Sequence, residues 1–322
     1  MTEAMAARRT RFKIRCCGTD DFFAEPLSHL HQKYGTSTWS GEKSMSATRQ
    51  PAGTVKSTVV SSDGTPIAFE QSGSGPTVIL VSSALADRSD TKKLAGLLAP
   101  HFTVVNYDRR GRGASGNNAD YTVRREIDDI AALIEHAGGI ASVFGSSSGA
   151  VLALRAAAAG LNIKRLALYE PPFAVAPSDF GPPRDFARHI DGLIAEDRRS
   201  EAVKTFMTKA QGMPAFMVGS MRLMPGVWSN LKAMAHTLPY DIAVMGDTQQ
   251  GKPLTAEMWS PATAPTLVMT GSKSPDGFQS AARAVTEVLP DADHHTLQGL
   301  NHGAVVMAPK KLAPKLIEFL QD

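Results

Sequence analysis

From residue 55 onward the chain alternates short apolar runs with polar stretches marked by glycine and proline. Residues 55–61 and 67–71 flank the turn sequence Asp63-Gly64-Thr65-Pro66, a pattern that predicts an antiparallel hairpin. Runs at 77–81, 102–107, 142–144, 166–169 and 266–270 have the length and apolar density of buried strands, and 294–297 is read as a further strand from its place in the alternation. Between them, 91–98, 121–137, the alanine-rich 150–159, 279–289 and 309–320 carry helical spacing. Strands alternating with helices in this way predict an α/β fold built on a mostly parallel, doubly wound sheet of eight strands.

The alternation stops at Pro171-Pro172. Residues 173–262 read as helical with no clear strand, and they hold Met207, Met213, Met217, Met221, Met224, Met234 and Met245. Methionine is a flexible apolar filler, suited either to a helical core or to the inner face of a cap over a pocket. The expected organisation is a core of residues 54–172 and 263–322 with a helical cap at 173–262. Trp228 and Trp259 are expected to pack that cap, and with Trp39 they form no cluster in sequence.

Residues 1–53 stand apart. Arg8, Arg9, Arg11, Lys13 and Arg15 cluster early and no apolar period follows, a composition that predicts disorder. Met45-Ser46-Ala47-Thr48 reads as a natural protein start, so the first 44 residues are expected to be an upstream extension. Of the net charge of +3, most lies in this segment, and the remainder is nearly neutral without a basic stripe for nucleic acid. No apolar run reaches the ~18–20 residues needed to span a bilayer, and no charged start leads into a signal-like apolar region. Cys16 and Cys17 are adjacent and too few for a disulfide framework or a zinc site. These features together predict a cytoplasmic protein with no nucleic-acid or membrane partner; they carry no signal for oligomeric state, for which a monomer or homodimer is the ordinary expectation.

The chemistry centres on Gly145-Ser146-Ser147-Ser148-Gly149, which sits between an apolar run and an alanine-rich helix. A strand–turn–helix setting is the one in which Gly-x-Ser-x-Gly forms a nucleophile elbow. Ser147 would stand at the helix N-terminus, where the dipole and free N–H groups favour developing negative charge. Asp108-Arg109-Arg110-Gly111-Arg112-Gly113 invites a phosphate reading, but its glycines miss the dinucleotide spacing. A structural turn, with the charged side chains satisfying loop carbonyls and one another, is the better expectation.

With these motifs in order, the chain resembles the α/β-hydrolase superfamily, in particular its small bacterial members with a helical cap after the sixth strand. The resemblance runs from about residue 55 to the C-terminus. It is carried by Asn106-Tyr107-Asp108-Arg109-Arg110-Gly111-Arg112-Gly113-Ala114-Ser115, the elbow, Leu168-Tyr169-Glu170-Pro171-Pro172-Phe173, Pro265–Gly271, and Leu297-Gln298-Gly299-Leu300-Asn301-His302. It implies an α/β-hydrolase fold and a cofactor-independent, metal-free serine hydrolase acting on a small carboxylic ester or related acyl compound. Ser147 would be the nucleophile and His302, after the last strand, the general base. The Ser148 and Ala84 amides would form the oxyanion hole.

Three departures accompany this resemblance. Ser82-Ser83 replaces the usual His-Gly, Ser146 replaces the usual histidine of the elbow, and Ser274 occupies the usual position of the acid. Glu170, ending the sixth strand, is then the first candidate for the acid and Asp276 the alternative. The same departures support a second expectation, a hydrolase-like ligand-binding or signalling protein with weak or no turnover.

Overall fold

A computed structural model describes residues 53–321, so the expectations for residues 1–52, including Cys16, Cys17 and Trp39, lie outside the described residues. The strands are β1 (Val55–Val60), β2 (Pro66–Ser72), β3 (Thr77–Val81), β4 (Thr103–Tyr107), β5 (Ala141–Ser146), β6 (Ile163–Tyr169), β7 (Thr266–Gly271) and β8 (Ala292–Leu297). They form one eight-stranded sheet in the order β1-β2-β4-β3-β5-β6-β7-β8. The β1–β2 and β2–β4 pairs are antiparallel and every later pair is parallel.

Period-two alternation feeds two cores. Val78, Leu80, Val104, Phe144, Ala167 and Tyr169 face α1 (Arg88–Leu98) and the last helix, α11 (Pro309–Gln321). Ile79, Val81, Val105, Val143, Leu166 and Leu168 face the opposite layer of α2 (Val123–His136), α3 (Ser148–Ala158) and α10 (Asp276–Val288). A sheet covered on both sides buries its strands completely, which explains why the central runs read as continuously apolar. The α1 start lies three residues before the periodic segment, because Asp87 and Asp90 form a reciprocal capping box there.

Between β6 and β7 the chain makes only helices: α4 (Phe186–Ala195), α5 (Arg199–Thr205), α6 (Ala215–Met221), α7 (Pro225–Met234), α8 (Leu238–Met245) and α9 (Ala256–Trp259). A π-helical turn follows α5 and a 3-10 turn precedes α8. Phe186, Ile190, Val203, Phe206, Trp228 and Leu238 form an apolar cluster of this insertion. Ala84 and Leu85, from the loop after β3, belong to the same cluster.

The methionines divide. Met207 and Met234 are buried in the insertion cluster, Met245 in the sheet core, and Met217 and Met224 are exposed. Trp228 packs the insertion as expected, but Trp259 does not. It lies in the sheet core against Phe173 and under the Arg155 guanidinium, because α9 brings the chain back to the sheet. Among the described residues no helix is long and apolar enough to cross a membrane.

Candidate active site

The elbow forms where β5 meets α3. Ser147 has φ 53° and ψ −125°, a conformation that non-glycine residues seldom adopt and that persists where surrounding structure enforces it. Its N–H donates to the Tyr169 carbonyl at 2.9 Å, fastening the turn to the end of β6. Glycine is required on both sides. A Cβ on Gly145 would collide with the Gly149 carbonyl, and one on Gly149 would lie 2.5 Å from the carbonyl oxygens of Val81 and Ser82. The loop after β3 is therefore seated directly on the first turn of α3, beside Ser148. The Ser148 amide is the first of that helix and has no preceding turn to receive it.

His302 arrives on the loop that follows β8. That loop is tied down by the Tyr169 hydroxyl donating to Asn301 O at 2.7 Å and by Lys273 N–H donating to Leu300 O at 2.8 Å. Gly271 permits the close approach, since a Cβ there would meet the Leu300 carbonyl. The imidazole stacks on Phe278, ring centroids 4.6 Å apart and planes inclined by 22°. His302 Nε2 lies 3.1 Å from Ser147 Oγ, and Nδ1 lies 2.7 Å from Glu170 Oε2.

Glu170 follows β6 in a left-handed conformation, φ 50°, and is fully buried. Its second oxygen, Oε1, accepts from Gly271 N–H at 2.7 Å and from Ser274 Oγ–H at 2.5 Å. Ser274, which stands in the usual place of the acid, thus supports the carboxylate that lies against the histidine. Asp276 opens α10 as an exposed residue and makes no hydrogen bond to His302.

Behind the elbow lies a buried polar network. Arg109 donates to both oxygens of Glu126 at 2.7 Å and to Asp241 Oδ1 at 2.7 Å. Arg112 donates to Asp241 Oδ2 at 2.6 Å, and Ser148 Oγ–H donates to Asp241 Oδ1 at 2.8 Å. Arg110 makes a bidentate pair with Asp129 and reaches Asp63. The arginine turn is structural, as expected, but its main partners are carboxylates on distant elements rather than its own loop. Burial opposes ionisation of Asp241, yet Arg112 and Arg109 hold its carboxyl below the ordinary range.

The pattern of residues did not reveal Asp241, Phe278 or the supporting role of Ser274. Asp241 lies on an amphipathically unremarkable helix 93 residues after its Ser148 partner, so spacing carries no signal for it. Ser274 is the exception: a serine at the acid's position, with a glutamate directly after β6, was the available clue.

The fold has counterparts among known proteins. Residues 78–314 match the alpha/beta hydrolase family. An alpha/beta hydrolase of Sphaerobacter thermophilus is 50% identical, with a TM-score of 0.76 over 82% of this chain and 99% of that one. The esterase RhEst1 of a Rhodococcus species shares the fold at 20% identity, with a TM-score of 0.62 over 83% of this chain and 98% of that one. The uncharacterized hydrolase YraK of Bacillus subtilis is 40% identical over 95 residues, a match spanning 28% of this chain and 35% of that protein. By the extent of the family match, the protein is a member of the alpha/beta hydrolase family.

Proposed function

We propose that this hydrolase is a serine esterase acting on small acyl substrates through a Ser147–His302–Glu170 triad. The observation that carries the reading is the continuous hydrogen-bonded line from Ser147 Oγ through the His302 ring to a buried carboxylate. A serine hydroxyl is a weak nucleophile near neutral pH and needs a base positioned to take its proton. With Nδ1–H donating to Glu170, the His302 ring presents the lone pair of Nε2 to Ser147. Glu170 orients the ring and stabilises the imidazolium, while Gly271 and Ser274 keep the carboxylate from rotating away.

In the proposed sequence Ser147 Oγ attacks the acyl carbon and its proton passes to His302. The Ser148 and Ala84 amides receive the oxyanion, and the loss of one oxyanion-hole donor typically costs about 2.7–4 kcal/mol of barrier. His302 returns the proton to the leaving alcohol, then activates water against the acyl-enzyme. The helices between β6 and β7 act as the cap that closes the acyl pocket. The binding-only alternative rests on three departures, at Ser82-Ser83, Ser146 and Ser274; the hydrogen bond between Glu170 and His302 Nδ1 supports the hydrolase reading against the last of them.

Turnover of 4-nitrophenyl acetate by wild type, Ser147→Ala and His302→Ala tests this. Hydrolysis lost in both variants is the expected result. Equal rates in wild type and Ser147→Ala would remove the serine mechanism.

A further inference from the structure

Asp241 is fully enclosed, carries no solvent contact of consequence, and belongs to the insertion rather than to the sheet. Its two oxygens gather three donors from the core: Arg109, Arg112 and Ser148. Arg112 uses its other terminal nitrogen, Nη1, to donate to Ser83 O at 2.6 Å and Ala86 O at 3.1 Å. Arg109 donates to Ser82 O at 3.3 Å. One carboxylate is therefore connected to both segments that would supply oxyanion donors, through the Ser148 hydroxyl on one side and through two arginine side chains on the other. It also compensates the charges of those arginines.

The loop has need of such a hold. Leu85 adopts φ 55°, a conformation costly for a branched side chain. The carbonyls of Ser82, Ser83 and Ala86 are held from outside the loop by guanidinium groups. The helix bearing Asp241 is fastened in turn. Tyr240 stacks flat on Tyr121 with centroids 3.8 Å apart, and Arg155 donates to the Val244 carbonyl at 2.6 Å.

We propose that Asp241 is a positioning residue for the oxyanion hole, setting the Ser148 and Ala84 amides in one geometry and coupling that geometry to the seating of the cap. This rests on the serine-hydrolase reading given above. The relevant chemistry is the addition of Ser147 Oγ–H across a carbonyl. The Oγ–C bond forms, the carbonyl π pair becomes the oxyanion, and the proton moves to His302 Nε2. A displaced donor weakens the oxyanion without weakening ground-state binding.

The test compares wild type, Asp241→Asn, Ser148→Ala and Ser147→Ala in the full chain. Steady-state turnover of 4-nitrophenyl acetate, affinity for an aryl trifluoromethyl ketone and thermal melting are measured on each. The ketone forms a tetrahedral adduct at Ser147 and so reads the oxyanion hole itself. For Asp241→Asn the expected result is a fall in kcat of about tenfold or more with KM within about twofold, matched by a parallel loss of ketone affinity. Ser148→Ala removes one contact and keeps its backbone N–H, and its expected fall in kcat is about threefold to tenfold. It decides the matter if Asp241→Asn does not fold.

Lowered melting temperatures with kcat and ketone affinity unchanged would make Asp241 merely structural and overturn the proposal. A Ser147→Ala protein that hydrolyses the ester at the wild-type rate would overturn the catalytic reading beneath it. Loss of activity in Ser147→Ala together with wild-type kinetics in Ser148→Ala would overturn the positioning role alone.

Discussion

At the residue scale the central feature is how Glu170 comes to lie against His302. Replacing its carboxylate by an amide would leave the shape but offer His302 Nδ1–H the wrong partner, favouring the wrong ring tautomer. Glu170→Gln is expected to lower kcat on the order of 10³–10⁴-fold with little change in fold, as judged by circular dichroism and ester kinetics. A wild-type rate in that variant would remove Glu170 from the proposed triad. His294, on β8, poses a separate question. Its burial, with Arg283 and His295 nearby, holds the imidazole below its ordinary value, and its Nε2 lies 2.8 Å from Thr270 Oγ1. The unfolded chain then binds the proton first as pH falls, so stability declines as pH drops through about 6.5, the ordinary histidine value. The melting temperature of His294→Gln is expected to fall less than that of wild type between about pH 7.5 and 5.5. Parallel curves would contradict this.

Legibility at this scale followed chemistry and spacing. Ser147 was visible because five adjacent residues carry the elbow, and His302 because it follows the last strand. Glu170 was visible as one of two carboxylates, and only three-dimensional placement separates it from Asp276. Asp241 was invisible, since its meaning depends on two arginines more than a hundred residues away in sequence.

At the element scale, the strand–turn–helix at β5–α3 works only because backbone passes over both glycines. Gly149→Ala would drive a methyl group into the carbonyls of Val81 and Ser82. A cost of about 1–3 kcal/mol is expected, with the melting temperature reduced by roughly 2–4 °C per kcal/mol and ester turnover lost as the loop is pushed outward. Gly192, exposed inside α4 with open space at its Cβ position, is the contrasting case. Gly192→Ala is expected to raise stability by up to about 1 kcal/mol through helix propensity. Thermal melts of the two variants should move in opposite directions, and a shared direction would refute the packing argument. The central strands β3 to β7 could be read from sequence because burial on both faces makes them largely apolar. By contrast, β1 and β2 were legible from the turn between them, and the outer strand β8, half exposed, carries little apolar signal. The insertion's helices could be placed only as a block, because their short lengths and scattered methionines blur the 3.6-residue period.

At the scale of the whole molecule, the insertion is not an independent unit. Ala84 and Leu85 from the sheet's loop complete its apolar cluster, and Asp241 closes charge on arginines of the core. Removing one partner of such buried pairs typically costs about 3–5 kcal/mol, so neither part is expected to unfold while the other stays intact. Differential scanning calorimetry is expected to show one cooperative transition for residues 53–321 within the full chain. Two well-separated transitions would show that the insertion folds on its own and that the coupling is weak.

The central claim is that Ser147 is an activated nucleophile. Intact-mass measurement after exposure to a fluorophosphonate probe tests it most directly. The account predicts a single covalent adduct mapped to Ser147, absent from Ser147→Ala and strongly reduced in His302→Ala. A folded wild-type protein that remains unlabelled, or that is labelled equally after Ser147→Ala, would contradict it.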